Sequence, residues 1–385
     1  MQTAITERLG IEFPLLAFSH SADVVVAVSR AGGMGVLGAA QLSVEELEHK
    51  LAWLGGELGE IPFGVDLLLP GRYEKADQGG LAREELVAQV PVGHRAFVAG
   101  LMEEYGVPEL EEGYEFGDLV DGRGVPVTGN HTYTAKDTQP LLDVCLASGI
   151  SLFANALGVA PTETIDAFHE RGMLVAGLAG TARHGEKHRQ AGTDIVIAQG
   201  YEAGGHTGEI GSMVLIPDVV DAVEETPVLA AGGIASGRQM AAAMMLGAAG
   251  VWTGSVWLTS EEAETTDVVR EKFVGAVAAD TVRSRACTGR PARQLRSGWS
   301  EAWERAEIEP LGMPHQGILY AEPQARIARG AEAGAGRSRE LATYFVGQVV
   351  GRLDSVRPAA AVLDEIVTDC AALLDDRGRP ATDWR

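Results

Sequence analysis

Short apolar runs recur along the chain at positions 13–18, 35–38, 63–69, 150–155, 174–178, 194–199, 227–231 and 250–254. Each has the length and composition of a strand. Between most of them lie stretches with a helical apolar period, at 23–31, 43–54, 162–171, 182–191, 217–224 and 237–246. Strand alternating with helix predicts a parallel sheet. Runs such as Ile195-Val196-Ile197-Ala198 and Val228-Leu229-Ala230-Ala231 are apolar at every position, which suits strands covered by helices outside and packed by side chains inside. They also keep a regular interval: Phe153, Val175, Ile197, Leu229 and Val251 follow one another at 22, 22, 32 and 22 residues. Eight such units predict an α/β fold closed as a (β/α)8 TIM barrel, in preference to an open doubly wound sheet.

The rhythm breaks between the third and fourth strands, at about 71–137, into a charged stretch punctuated by glycine and proline. This predicts an insertion on a βα loop over the C-terminal mouth of the barrel, serving as a lid or as an oligomerisation arm. After the eighth strand two amphipathic segments, 339–353 and 359–374, predict a helical C-terminal extension. The expected division is therefore a barrel with its insertion at 1–260 and an extension packing on it at 261–385.

Composition narrows the partners. With 31 basic against 54 acidic residues, the formal charge of −23 argues against nucleic acid and against an anionic membrane surface. The three cysteines, Cys145, Cys287 and Cys370, are far apart and form no Cys-x-x-Cys pair, so neither a disulfide framework nor a metal site is expected. No basic-then-apolar leader opens the chain, and the apolar run 24–28 is too short to span a bilayer. A cytoplasmic location is the expectation.

Candidate chemistry gathers at the predicted mouth. Ser19 follows the first strand, Asp66 lies late in the third, and Asn155 ends the fourth. Gln199 and His206 follow the sixth, Gly232 and Gly233 the seventh, and Thr253, Gly254 and Ser255 the eighth. Loops after strands seven and eight form the common phosphate site of such barrels, and glycines there let backbone N–H groups approach a phosphate. A phosphorylated cofactor is expected. By contrast, Ala31-Gly32-Gly33-Met34-Gly35 follows a helix and precedes a strand, the reverse of a dinucleotide fingerprint, and reads as a helix cap and turn.

Over about residues 6–258 the chain resembles the nitronate monooxygenases, formerly called 2-nitropropane dioxygenases, which are FMN-dependent barrels. The resemblance rests on Asp194-Ile195-Val196-Ile197-Ala198-Gln199-Gly200-Tyr201-Glu202-Ala203-Gly204-Gly205-His206, then on Ala231-Gly232-Gly233-Ile234 with Gly247-Ala248. It implies that Gln199 and Gly200 hold the isoalloxazine side of FMN and that Gly204 and Gly205 approach the ribityl chain. By the same resemblance Gly232, Gly233, Gly254 and Ser255, with Thr253 beside them, bind the phosphate, and His206 is the catalytic acid/base. Ala17, Phe18 and Ser19 match the loop under the flavin, although Ala17-Phe18-Ser19-His20 replaces the usual Gln-Ala-Pro-Met. Asp66 stands where asparagine is more usual, a change that alters flavin electrostatics or substrate charge preference. The implied chemistry is one-electron transfer to FMN from a small-molecule nitronate, then attack by dioxygen, giving a carbonyl compound and nitrite. Protonated His206 is expected to hold the anion over the ring.

Other residues are weaker candidates. His20 and, within the insertion, His131 are placed as substrate contacts. His184 and His188 share a helix face but lack a third ligand, so a solvated face is expected. The basic run 288–293 with Arg296 either reaches an anion or pairs with acids such as Glu301 and Glu304. Two alternatives stay open beside the oxidase: a flavin-dependent NAD(P)H reductase of a quinone or enoyl thioester, and a non-catalytic flavin-binding protein. IMP dehydrogenase shares the Gly-Gly-Ile turn but needs a cysteine loop after the sixth strand, and 200–211 contains no cysteine. A homodimer is compatible with the sequence.

Overall fold

A computed structural model of the chain describes residues 1–40, 42–69, 83–110 and 135–375. Its strands in chain order are β1 (Leu15–Ser19), β2 (Met34–Gly38), β3 (Gly64–Leu67), β4 (Leu152–Asn155), β5 (Leu174–Ala179) and β6 (Ile195–Gln199). There follow β7 (Gly205–His206), β8 (Val228–Ala231), β9 (Gly250–Thr253), β10 (Thr281–Ser284) and β11 (Ala292–Leu295). Eight of them form a closed parallel barrel in the order β1-β2-β3-β4-β5-β6-β8-β9, shut by the pairing of Leu16 with Trp252. The predicted barrel is present, with each strand within two residues of its expected limits.

Alternation along each strand sorts side chains between two compartments. Leu16, Met34, Val36, Leu152, Ala154, Ile195 and Ile197 pack inside the barrel. Val65, Leu67, Phe153 and Val175 point outward to the helices, where Phe153 stacks on Phe168 with ring centroids 4.2 Å apart. Burying a side chain of this size contributes about 1.5–3 kcal/mol. The top inward layer, at the C-terminal mouth, is different. It includes Phe18, Asp66, Gln199 and Trp252, which line a cavity instead of filling the barrel end.

The helices follow expectation closely, with 182–191 observed as Ala182–Ala191 and 237–246 as Gly237–Met245. The helix expected to start at Pro217 begins instead at Ser212. Proline suits a helix start, but here the Glu202 carboxylate accepts the Ser212 amide at 3.0 Å and caps the helix five residues earlier.

The extension is present, and it carries strands as well as helices. β10 and β11 form a hairpin whose second strand pairs antiparallel with β7, making a three-stranded sheet beside the mouth. The segment expected as one amphipathic helix at 339–353 is broken. A short helix, Ser338–Leu341, gives way to an extended stretch bridging Phe345 to Gln294, then to a 3-10 turn, Gln348–Arg352. The cause is tertiary: Gly347 N–H donates to Ser255 Oγ at 2.8 Å and Gln348 N–H to the Glu202 carbonyl at 2.9 Å. The segment thus laces across the barrel loops. Helix Ala359–Asp375 matches expectation and packs on helix Gly237–Met245.

Within the insertion, helices Arg83–Gln89 and Val92–Glu104 are described. The second and the residues after it are anchored to the extension. Phe97 packs edge-on against Trp303 at 4.7 Å, Arg326 Nε donates to the Pro108 carbonyl at 2.9 Å, and the Arg337 guanidinium lies 4.2 Å over the Tyr105 ring. The first sends Leu86 to the cavity wall. His131 lies outside the described residues. No helix among the described residues is long and apolar enough to cross a membrane.

Candidate active site

The cavity at the mouth has a volume of about 840 Å³, within the range of small-molecule and cofactor sites. Its floor is aromatic: the Phe18 and Trp252 rings stack at an interplanar angle of 28°, with centroids 6.1 Å apart. His20 meets Phe18 edge-on at 5.1 Å, and its Nδ1 lies 2.8 Å from the Gly38 carbonyl. Gly38 makes this feasible, because a Cβ there would stand 2.8 Å from the imidazole.

One side of the wall is built by glycine turns. Gly232 has φ +89° and Gly233 φ +75°, left-handed values that disfavour other residues. A Cβ on Gly232 would also stand 3.0 Å from the Gly200 carbonyl and 3.1 Å from the Ala203 amide. Gly200 itself does not face the cavity. It backs this turn, where a Cβ would collide with Ser212 Oγ. Gly254 and Ser255 border the cavity, and Ser255 opens a 3-10 helix, Ser255–Thr259.

Several expected contacts are otherwise engaged. The Thr253 hydroxyl donates to the Leu16 carbonyl at 3.0 Å and accepts from Trp257 Nε1 at 3.0 Å, so it is committed to the scaffold although Thr253 borders the cavity. Ser19 also borders it, with its hydroxyl accepting the Ser21 amide at 3.1 Å. Ala17 is fully buried and faces outward, into the core shared with the helices. Asn155 ties two loops together, accepting from Leu69 N–H at 2.9 Å and donating to the Gly158 carbonyl at 2.9 Å, and has no place on the cavity wall.

His206 lies on β7, held as a strand by pairing with Ala292 of the extension. Tyr201, five residues earlier, is clasped by two arginines. Arg293, buried in β11, lies 4.5 Å over the Tyr201 ring and donates to the Tyr201 carbonyl at 3.1 and 3.2 Å and to Thr281 Oγ1 at 3.1 Å. Arg283 lies 4.9 Å from the same ring and donates to the Thr207 carbonyl at 3.2 Å. The backbone on both sides of His206 is thereby fixed. The basic run thus divides: Arg296 forms a surface pair with Glu304 at 3.0 Å, Arg293 is interior, and Arg290 borders the cavity with no ion pair among the described residues.

The imidazole of His206 opens on the cavity. Desolvation by surrounding protein atoms holds its pKa below the ordinary histidine value, the Arg290 charge adds to this, and the Pro291 carbonyl opposes it. Neutral imidazole is therefore its resting form at neutral pH, in contrast to the expected imidazolium. Of the other histidine pair, His184 is exposed, but His188 is 1 % exposed, so the expected solvated face is wrong for it. Its Nε2 lies 3.2 Å from the Leu178 carbonyl in the space that Gly177 leaves above the strand.

Residues that the sequence reading did not reach come mainly from the extension. Met313, Pro314, Tyr344, Phe345 and Gly347 close one side of the cavity. The pairing of Gly204 with Gly347, where a Cβ on Gly204 would stand 2.9 Å from Gly347 N, shows how closely the two segments approach. A lone glycine 143 positions downstream gives no local sign of that contact.

Fold and site together define a barrel enzyme with a cavity at the strand C-termini that has a glycine-lined end and an imidazole on its wall. The chain belongs to the nitronate monooxygenase family, whose model matches residues 2–369, and it is an oxidoreductase. It is 51% identical over 370 residues to Rv1533 of Mycobacterium tuberculosis, which carries a monooxygenase name, with 96% of each chain covered. It is 30% identical to a Staphylococcus saprophyticus protein named as a nitronate monooxygenase, over 83% of this chain and 85% of the other. Among solved structures it superposes on a nitroalkane oxidase from Streptomyces ansochromogenes with a TM-score of 0.78 at 25% identity, covering 97% and 100% of the two chains. FabK from Thermotoga maritima gives 0.70 at 26%, covering 98% and 99%.

Proposed function

We propose that this protein is an FMN-dependent nitronate monooxygenase that oxidises an alkyl nitronate with dioxygen to a carbonyl compound and nitrite, with His206 as its acid/base group. The observation that carries this reading is the meeting, in one cavity, of left-handed glycine turns, an aromatic floor and an imidazole. The residues suit a flavin mononucleotide. Gly232, Gly233, Gly254 and Ser255 would hold its phosphate, and the apolar floor with the polar groups of Asp66 and Gln199 would hold its ring system. Bound there, the flavin supplies one-electron redox chemistry and reactivity toward dioxygen.

His206 meets its substrate neutral. A nitronate brings negative charge, and the nearby Arg290 guanidinium attracts that charge to the rim. Once the anion is seated, it offsets Arg290 and favours protonation of the imidazole, so His206 takes up a proton with the substrate and can return it to the departing product.

The purified protein is expected to be yellow, and alkyl nitronate is expected to cycle the flavin in air with release of nitrite. A colourless protein that FMN cannot reconstitute would refute the flavin reading. The FabK likeness keeps the reductase in play. Rapid anaerobic bleaching by NADH or NADPH, but not by nitronate, would select it, and bound flavin inert to every donor would select the non-catalytic reading.

Arg290 offers a separate check. Removing its charge in Arg290→Gln relieves one of the two effects that lower the His206 pKa. The limb of the kcat/KM profile that belongs to His206 should move to higher pH, modestly, because solvent screens an exposed charge. An unmoved limb would show that the guanidinium does not act on the imidazole.

A further inference from the structure

Asp66 is the unexplained group in the chamber. It points inward from the C-terminal end of β3, is 3 % exposed, and borders the cavity. Its neighbours across the sheet are Gly38 on β2 and Ala154 on β4, neither of which offers a polar side chain. Among the described residues nothing hydrogen-bonds to its carboxyl group or pairs with it. The residue lies on the cavity wall. The Gln199 amide, in the same layer, also has no side-chain hydrogen bond among the described residues. Two polar groups with unused hydrogen-bonding capacity, set in an apolar ring of Phe18, Leu178 and Trp252, mark where a flat polar ligand must engage.

The charged and titratable groups around the chamber give Asp66 no counter-charge at hydrogen-bond distance. From the β1 side comes His20, its Nδ1 against the Gly38 carbonyl. Glu202 is occupied by Ser212, whose amide and hydroxyl both donate to Oε2 at 3.0 Å. His206 and Arg290 stand on the wall built by the extension. An ionised carboxylate at this position has no solvation to replace water, and burial accordingly holds the Asp66 pKa well above the usual carboxylate range.

We propose that Asp66 donates a hydrogen bond, through its own carboxyl proton, to a carbonyl oxygen of the flavin ring, and that flavin affinity is therefore lost when Asp66 ionises. The inference rests on the flavin reading above. A carboxylate only accepts hydrogen bonds, whereas a protonated carboxyl presents one O–H donor. In that form aspartic acid has the shape of the more usual asparagine and supplies a donor where the amide would supply N–H. The sign follows from linkage. Binding favours the protonated form, so affinity is full below the Asp66 pKa of the free protein. It falls as pH rises through that value, and levels off above the higher pKa of the complex.

The test is FMN dissociation from the holoprotein, followed by the fluorescence of released flavin across pH, for the wild type and for Asp66→Asn. The wild-type Kd is expected to climb up to tenfold per pH unit over the sensitive interval and by at least tenfold overall, while Asp66→Asn, which cannot ionise, stays flat. Infrared difference spectra of the wild type at neutral pH should show the carbonyl stretch of a protonated carboxylic acid that is missing from the variant. Should Asp66→Asn fail to fold, Asp66→Ala gives the same comparison, with weaker and pH-independent binding. Parallel pH profiles for wild type and variant, or tighter wild-type binding as pH rises, would overturn the role of Asp66 while leaving the flavin reading intact. Failure of every form to hold FMN at any pH would overturn both.

Discussion

His206→Asn is expected to retain flavin and lose turnover, with kcat for an alkyl nitronate falling about 100-fold or more, the scale of a lost acid/base group. Asparagine keeps a polar side chain of similar reach but cannot exchange a proton. The β7–β11 pairing that positions residue 206 is made by backbone atoms, so it survives the change. The glycine turns proposed to hold the phosphate lie on other loops, and the yellow colour should persist with an unchanged FMN dissociation constant. Rapid-reaction measurements with saturating nitronate, followed by nitrite assay, read both quantities. Full turnover in the variant would remove His206 from the chemistry, and loss of flavin alongside turnover would recast it as a cofactor contact.

Arg293→Met should do more damage to stability than to the list of groups touching substrate. The guanidinium is 3 % exposed and fastens three acceptor sites: the Tyr201 carbonyl, Thr281 Oγ1 and the Tyr201 ring face. Methionine fills similar volume without restoring the donors, leaving a buried carbonyl and hydroxyl underserved. Lost hydrogen bonds to a charged group and a lost cation–π contact together set the cost at about 3 kcal/mol. Chemical denaturation reads this directly. Because the same clasp fixes the backbone leading to His206, kcat should fall at temperatures where the variant is still folded. Arg293→Lys is expected to recover little, since an ammonium cannot serve the carbonyl, the hydroxyl and the ring in one geometry. A stability change under about 0.5 kcal/mol would show that the clasp contributes nothing to holding the loop.

The histidine pair and the glycine turns show where sequence reasoning worked and where it stopped. Gly232 and Gly233 were legible because strand-to-helix turns demand local backbone conformations that glycine adopts readily, and their φ values of +89° and +75° meet that demand. The Gly32 turn was equally readable as a helix cap, with φ +92° between helix Ala22–Arg30 and β2. His188 was not. Its helix is polar in composition, and only the space over Gly177 on a neighbouring strand turns the imidazole inward. Thr253 and Ala17 failed as free contacts for a related reason: adjacent residues on a strand face opposite compartments, and a hydroxyl that ends beside a carbonyl or an indole N–H is engaged before any ligand arrives.

The local code of this chain determined the strand and helix succession, the closure implied by eight repeats, the glycine end of the chamber and the position of His206 along the chain. These follow from side-chain period and backbone preference, which act between near neighbours. Tertiary structure alone decided that the extension would return to build a wall, that Gly347 would thread against Gly204, that Arg293 would clasp Tyr201, and that Asp66 would face the cavity without a partner. Each of those depends on which surfaces meet after the barrel has closed, and on how much water that meeting removes, quantities carried by contacts between residues far apart in the chain.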